Sequence, residues 1–225
     1  MYAKTGLLNV FRHKIGAFCC FLGIAVLFLG SKKTRFHEPV SLVFPKNWPE
    51  PVYDFSKNPL TREGIELGRR LFYDPVLSRD STISCASCHL SFTAFTHVDH
   101  AVSHGIENRL GRRNSLALTN LAWSRYFMWD GAVNHLDFQP LAPISDSMEM
   151  DEKPRHVVQK LQKSERYRGL FFAAFGDSLA TGERLLKALS QFELTIVSAN
   201  SKYDRMVAGR DTFSQQEKSG YRLFQ

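Results

Sequence analysis

Cys85-Ala86-Ser87-Cys88-His89 is the string whose residue types and spacing most directly define a chemistry. Two thiols one helical turn apart can add to the two vinyl groups of a haem, and the next residue then presents an imidazole to the iron. The thioether links hold the cofactor covalently, so a small domain keeps it with little core. Cys85 and Cys88 are expected to bind haem c, and His89 to ligate its iron. Three alternatives stand beside this. A thioredoxin-like pair needs a neighbouring βαβ pattern, which is missing. A zinc site needs two more ligands at suitable spacing, and no second cysteine pair exists. The third is chance, because the motif has only three fixed letters.

His97, His100, His104, His135 and His156 follow the motif. Each has a plain reading as a surface or core histidine. The first three sit in a polar, loop-like stretch close behind the motif, where one could supply a sixth iron ligand. Phe127-Met128-Trp129-Asp130-Gly131 is a second unusual knot, with Gln139 and Glu149 beyond it. A carboxylate near haem iron can take a proton from peroxide and return it to the departing oxygen. An amide can hold the bound oxygen, and an indole can relay electrons. The plain alternative is a core tryptophan and two surface polar residues.

Helices must position these groups. Thr61 caps a helix running to about Tyr73, with Ile65, Gly68, Leu71 and Phe72 on one face and Asp74-Pro75 ending it. Pro154 opens a helix to about Lys163, and a further helix over 165–175 is closed by Gly176. Thr181 caps a third, whose stripe is Leu185, Leu186, Leu189, Phe192 and Ile196. Ser214 and Glu217 form the capping box of a last helix. Residues 91–127 read as long loops with short helical turns, and such loops are usually functional. No strand or internal repeat stands out, so the expected class is all-α.

Before these helices come two other segments. Residues 15–30 are apolar and uncharged, flanked by Lys4, Arg12, Lys14, Lys32, Lys33 and Arg35. That layout suits an export signal or an N-terminal membrane anchor over 1–35, with a buried core helix as the alternative. Residues 36–60 carry Pro39, Pro45, Pro49, Pro51 and Pro59 and read as an extended segment. The chain of 225 residues has a formal charge of +7, much of it around the apolar run. No basic stripe with interleaved aromatics is visible, so no nucleic-acid partner is expected. The four cysteines are too few for a disulfide scaffold. The 18 phenylalanines fill a core or line a flat apolar ligand.

Over residues 60–225 the chain resembles the bacterial dihaem cytochrome c peroxidase family, which includes the methylamine-utilisation dihaem oxidases. The resemblance rests on Leu67 to Asp74, Ser84 to His89, Gly111 to Asn114, Phe127 to Gly131, and Glu149-Met150. It implies two cytochrome c-like haem domains: peroxide is reduced at the N-terminal haem, and electrons enter at the C-terminal haem from a small cytochrome or copper protein. Carried over position by position, His89 is the proximal ligand. His104 is the distal histidine that caps the iron in the resting enzyme. Trp129 is the aromatic residue between the haems, and Gln139 and Glu149 are the distal pocket pair. Pro143 falls at a pocket proline. Asn114 resembles a ligand of the calcium ion at the domain boundary.

One departure is large. The family has a second C-x-x-C-H, and this chain has one such motif. Gly220 to Gln225 resembles the helix that leads into the second motif. The expected organisation is a haem domain over 61–200 and the start of a truncated second haem domain over 201–225. The expected function is reduction of hydrogen peroxide to water in the periplasm, with electrons from a small cytochrome c or cupredoxin. The chain is anchored to the membrane or released, and a homodimer is admitted. A protein-modifying oxidase is a variant. The alternatives from other classes are a monohaem electron-transfer cytochrome, with His89 and His104 both kept on iron, and a non-functional fragment.

Overall fold

Why the chain folds as helices is visible first at their ends. In a computed structural model, which describes residues 39–225, the Thr61 hydroxyl accepts the Gly64 N–H at 3.0 Å and opens α1 (Arg62–Tyr73). Asp74 closes it, and the carboxylate turns forward to accept the Val76 N–H at 2.9 Å. The haem motif forms one short turn, α2 (Cys85–Cys88). Next come α3 (Leu141–Ser145), α4 (Pro154–Lys163), α5 (Glu165–Phe175), α6 (Gly182–Leu194), α7 (Lys202–Val207) and α8 (Gln215–Phe224). Gly176 ends α5 at φ +84°, the left-handed conformation a glycine adopts without a Cβ penalty. Ser214 and Glu217 make the expected capping box of α8.

Among the described residues, β-type pairing is limited to isolated bridges such as Pro39 with Thr61 and Phe127 with Val133. The loops carry single 3-10 turns, at Ser91–Thr93, Ile106–Asn108 and Leu121–Trp123. The class is all-α. Among the described residues no helix is long and apolar enough to cross a membrane. The expected anchor or signal segment, 1–35, lies outside the described residues.

The centre of the fold is the crossing of α1 and α6. A Cβ on Gly68 would sit 1.8 Å from the Ala188 carbonyl oxygen, so only glycine lets the two backbones approach this closely. Around the crossing, Leu67, Leu71, Phe72, Leu161, Phe171, Leu185 and Leu189 form the main core. Leu67 belongs to this core, whereas Ile65 packs instead against a second cluster of Leu60, Ala122, Phe127, Leu136 and Leu194. The α6 stripe also differs from expectation. The helix stops at Leu194, and Ile196 reaches the main core from beyond its end.

The proline-punctuated segment is anchored from one residue to the next. Val40 N–H donates to the Leu60 carbonyl, and Val52 and Tyr53 N–H donate to that of Ala122. Trp48 and Phe44 pack edge-on against Trp123, whose indole donates to the Pro49 carbonyl at 2.7 Å. At the other end, α8 has no buried residue, and Leu223 and Phe224 are each 89% exposed. Tyr203, Phe213 and Tyr221 pack together as an aromatic trio joining α7 to α8.

Candidate functional site

Local chemistry sets the haem motif in place. Ser84 and Ser87 form a reciprocal capping box around α2, which stacks Cys85 and Cys88 one turn apart. The turn ends at His89, whose N–H donates to the Cys85 carbonyl at 2.9 Å. Both cysteines are free thiols. Burial raises the pKa of each. At Cys85 the neighbouring Glu193 and Cys88 add to the rise, and at Cys88 the Glu149 charge adds while Ser103 opposes. His89 Nδ1 lies 2.9 Å from the Phe95 carbonyl, to which it donates. Burial lowers the pKa of the ring against smaller opposing effects of the Phe95 and Leu116 carbonyls. A neutral imidazole with Nδ1 held by a carbonyl presents Nε2 as a ligand atom.

These residues share one cavity with the rest of the expected pocket. Cys85, Cys88 and His89 line it together with Gln139, Pro143 and Glu149, against apolar walls such as Phe72 and Leu118. Gln139 donates weakly to Met128 Sδ, at 3.7 Å. Burial raises the Glu149 pKa, with a smaller contribution from Asp146.

Glu149 is held from behind by the loop after His104. Ile106 N–H donates to the Glu149 carbonyl at 2.8 Å. A Cβ on Gly105 would lie 2.1 Å from the Met148 carbonyl oxygen, so the loop depends on glycine there. Charges clamp the same loop: Arg79 pairs with Glu107 and Asp151, and Arg109 pairs with Asp151 and Glu107. Arg109 also donates to the Ser147 carbonyl at 2.6 Å.

The other expected residues stand outside the cavity lining. The His104 backbone carbonyl is 3.8 Å from Cys88 Sγ, and its Nδ1 is 2.6 Å from Asn108 Oδ1. Trp129 is 58% exposed, and its indole donates to the Asn114 carbonyl at 2.7 Å. The Asn114 side-chain amide donates to the His97 and Ala101 carbonyls. His135 sits near Asp137, and His156 bonds to Glu152, both away from the cavity walls.

Glu193 is a cavity residue that the sequence reading missed. It is 3% exposed, and its Oε2 has no hydrogen-bond partner. Burial, reinforced by the charge of Asp137, pushes its pKa up to about 8. One signal was available: Glu193 falls four residues after Leu189 on the apolar stripe of α6. An orphaned buried oxygen facing a cavity calls for a polar partner inside it. Two thiols, a neutral imidazole, apolar walls and this oxygen together fit a covalently held haem.

Comparison with known proteins agrees. Residues 62–212 match the family model described as di-haem cytochrome c peroxidase, and the chain belongs to that family. The family implies c-type haem. The chain is similar to the methylamine utilization protein MauG of Methylophilus methylotrophus, with 35% identity over 80% of this chain and 52% of that relative. It is also similar to the cytochrome c551 peroxidase of Pseudomonas aeruginosa, at 32% identity over 84% of this chain and 55% of that protein. Among solved structures, a MauG-like protein associated with microbial copper homeostasis superposes with a TM-score of 0.75 at 30% identity. That match covers 82% of this chain and 55% of the other. The chain thus spans about half the length of the relatives it matches.

Proposed function

We propose that this chain is the peroxide-reducing haem domain of a c-type haem peroxidase. Bound haem supplies a redox-active iron at which peroxide can be reduced. Cys85 and Cys88 would hold it as thioethers, and His89 Nε2 would ligate the iron. The observation that carries the reading is that Gln139 and Glu149 line the same cavity as Cys85, Cys88 and His89. Gln139 would orient peroxide by hydrogen bond. Glu149 would take a proton from one peroxide oxygen and return it to the other. The balance is one hydrogen peroxide, two electrons and two protons to two waters.

The electrons come from a small cytochrome c or cupredoxin, and Trp129, exposed and fixed by Asn114, is the relay toward this cavity. His104 would be a second protein ligand held to the iron in the resting protein. Asn114 keeps its Oδ1 for a calcium ion, since its amide nitrogen and its backbone carbonyl are both engaged. The setting is the periplasm, with residues 1–35 as anchor or signal.

In the haem-loaded protein supplied with an artificial electron donor, Glu149→Gln should lower peroxide turnover by roughly 10²- to 10⁴-fold. Its haem content should stay at the unsubstituted level. Turnover unchanged by the substitution would overturn the assignment of Glu149 as the proton-transfer group.

A further inference from the structure

The loop between the haem motif and His104 carries a cluster that the peroxide chemistry leaves unused. One nitrogen each from His97 and His100 and one carboxylate oxygen from Asp99 lie within 4.8 Å of one another. The two imidazole rings meet edge to face, with centroids 4.5 Å apart. We propose that His97, Asp99 and His100 form a binding site for a divalent late-transition-metal cation of the zinc class.

Three features support a site over a solvated loop. First, His97 is buried and its Nδ1 is 3.0 Å from Ser103 Oγ, which is itself 2.6 Å from Ser115 Oγ. A hydrogen bond at one ring nitrogen fixes the ring and leaves Nε2 to a metal, the usual support for a ligating histidine. Second, the loop is closed at both ends by one amide: Asn114 Nδ2 donates to the carbonyls of His97 and Ala101, at 3.3 and 3.2 Å. The ligand segment is thus held in a bend before any ion binds. Third, the Asp99 carboxylate and the His100 ring have no hydrogen-bond or ion-pair partner among the described residues, and both are exposed.

Ligand atoms about 2.0–2.2 Å from a tetrahedral ion stand roughly 3.4 Å from one another. The observed separations close to that by side-chain rotation at Asp99 and His100 while His97 stays in place. Two imidazoles and one carboxylate suit zinc and its neighbours, whereas calcium needs six or more oxygens. Water would complete the fourth position. The inference does not depend on the peroxidase reading.

The test uses the full haem-loaded chain, in which thioether formation removes Cys85 and Cys88 as competing ligands. After chelator treatment and dialysis, zinc chloride is titrated in by calorimetry. One zinc should bind per chain at this site. Asp99→Asn and His100→Ala, both at exposed positions, should each weaken binding by roughly tenfold or more. His135→Ala should leave binding unchanged, and excess calcium should not displace the zinc. A titration showing no stoichiometric zinc, or zinc binding indifferent to both substitutions, would overturn the proposal. Displacement by calcium would overturn the assigned metal class.

Discussion

At Glu193 a carboxyl is enclosed without a hydrogen-bond partner, and the consequence is a measurable pH dependence. Its pKa in the folded protein is raised to about 8, mainly by burial and then by Asp137. The unfolded chain releases this proton at ordinary carboxylate pH, while the folded chain retains it. The native state therefore binds more protons in the interval, and stability declines as pH rises from about 5 toward 8, then levels off. Removing the ionisation with Glu193→Gln should flatten this decline, by roughly 1–4 kcal/mol across the interval. Denaturant melts of both proteins at several pH values provide the comparison. Parallel profiles would mean that Glu193 ionises normally. At Glu149 the pKa is also raised, again chiefly by burial, which favours a group that holds and passes a proton.

Among the elements, the crossing of α1 and α6 carries the strictest steric demand. The atom that a Gly68 Cβ would strike is a backbone carbonyl oxygen, and a backbone cannot rotate aside as a side chain can. Gly68→Ala should cost about 2–3 kcal/mol by forcing the helices apart. Thermal or denaturant unfolding would show it, and a variant as stable as the parent would mean the crossing is looser than described. Gly64 is less constrained, since its nearest neighbour is the Gln191 side-chain amide. That amide accepts the Thr61 N–H at 3.0 Å and donates to Asn58 at 2.9 Å, so the polar packing of α6 also fixes the start of α1. The loop 105–111 is a second positioning element, tying Glu149 to the haem motif side through Gly105, Ile106 and the Arg79 and Arg109 ion pairs.

On the scale of the whole molecule, the prominent fact is that one C-x-x-C-H stands in a chain spanning about half of its relatives. Produced with c-type maturation machinery, this 225-residue chain should bind one haem, lost in a Cys85→Ala, Cys88→Ala double variant. A pyridine haemochrome spectrum with intact mass gives the count. Retention of covalent haem by the double variant would refute the attachment assignment. Trp129 and the α8 residues Leu223 and Phe224 are exposed apolar surface.

Much of this was legible in the sequence because its causes are local. A cap is a bond between residues three apart, so Thr61, Thr181 and Ser214 mark their helices in the primary structure. Cys85, Cys88 and His89 are legible for the same reason: one helical turn sets their geometry. The short α7, with its Ser201–Asp204 capping box, is a helix beyond those expected from the sequence. Tertiary packing alone decided that Ile65 and Leu67 serve different cores, that α1 and α6 meet at Gly68, and that Glu193 faces the cavity. It also decided that His97, Asp99 and His100 converge while Trp129 and His104 stay outside the cavity lining. Those outcomes depend on which distant segments exclude water together, and burial is a property of the assembled fold that no spacing along the chain contains.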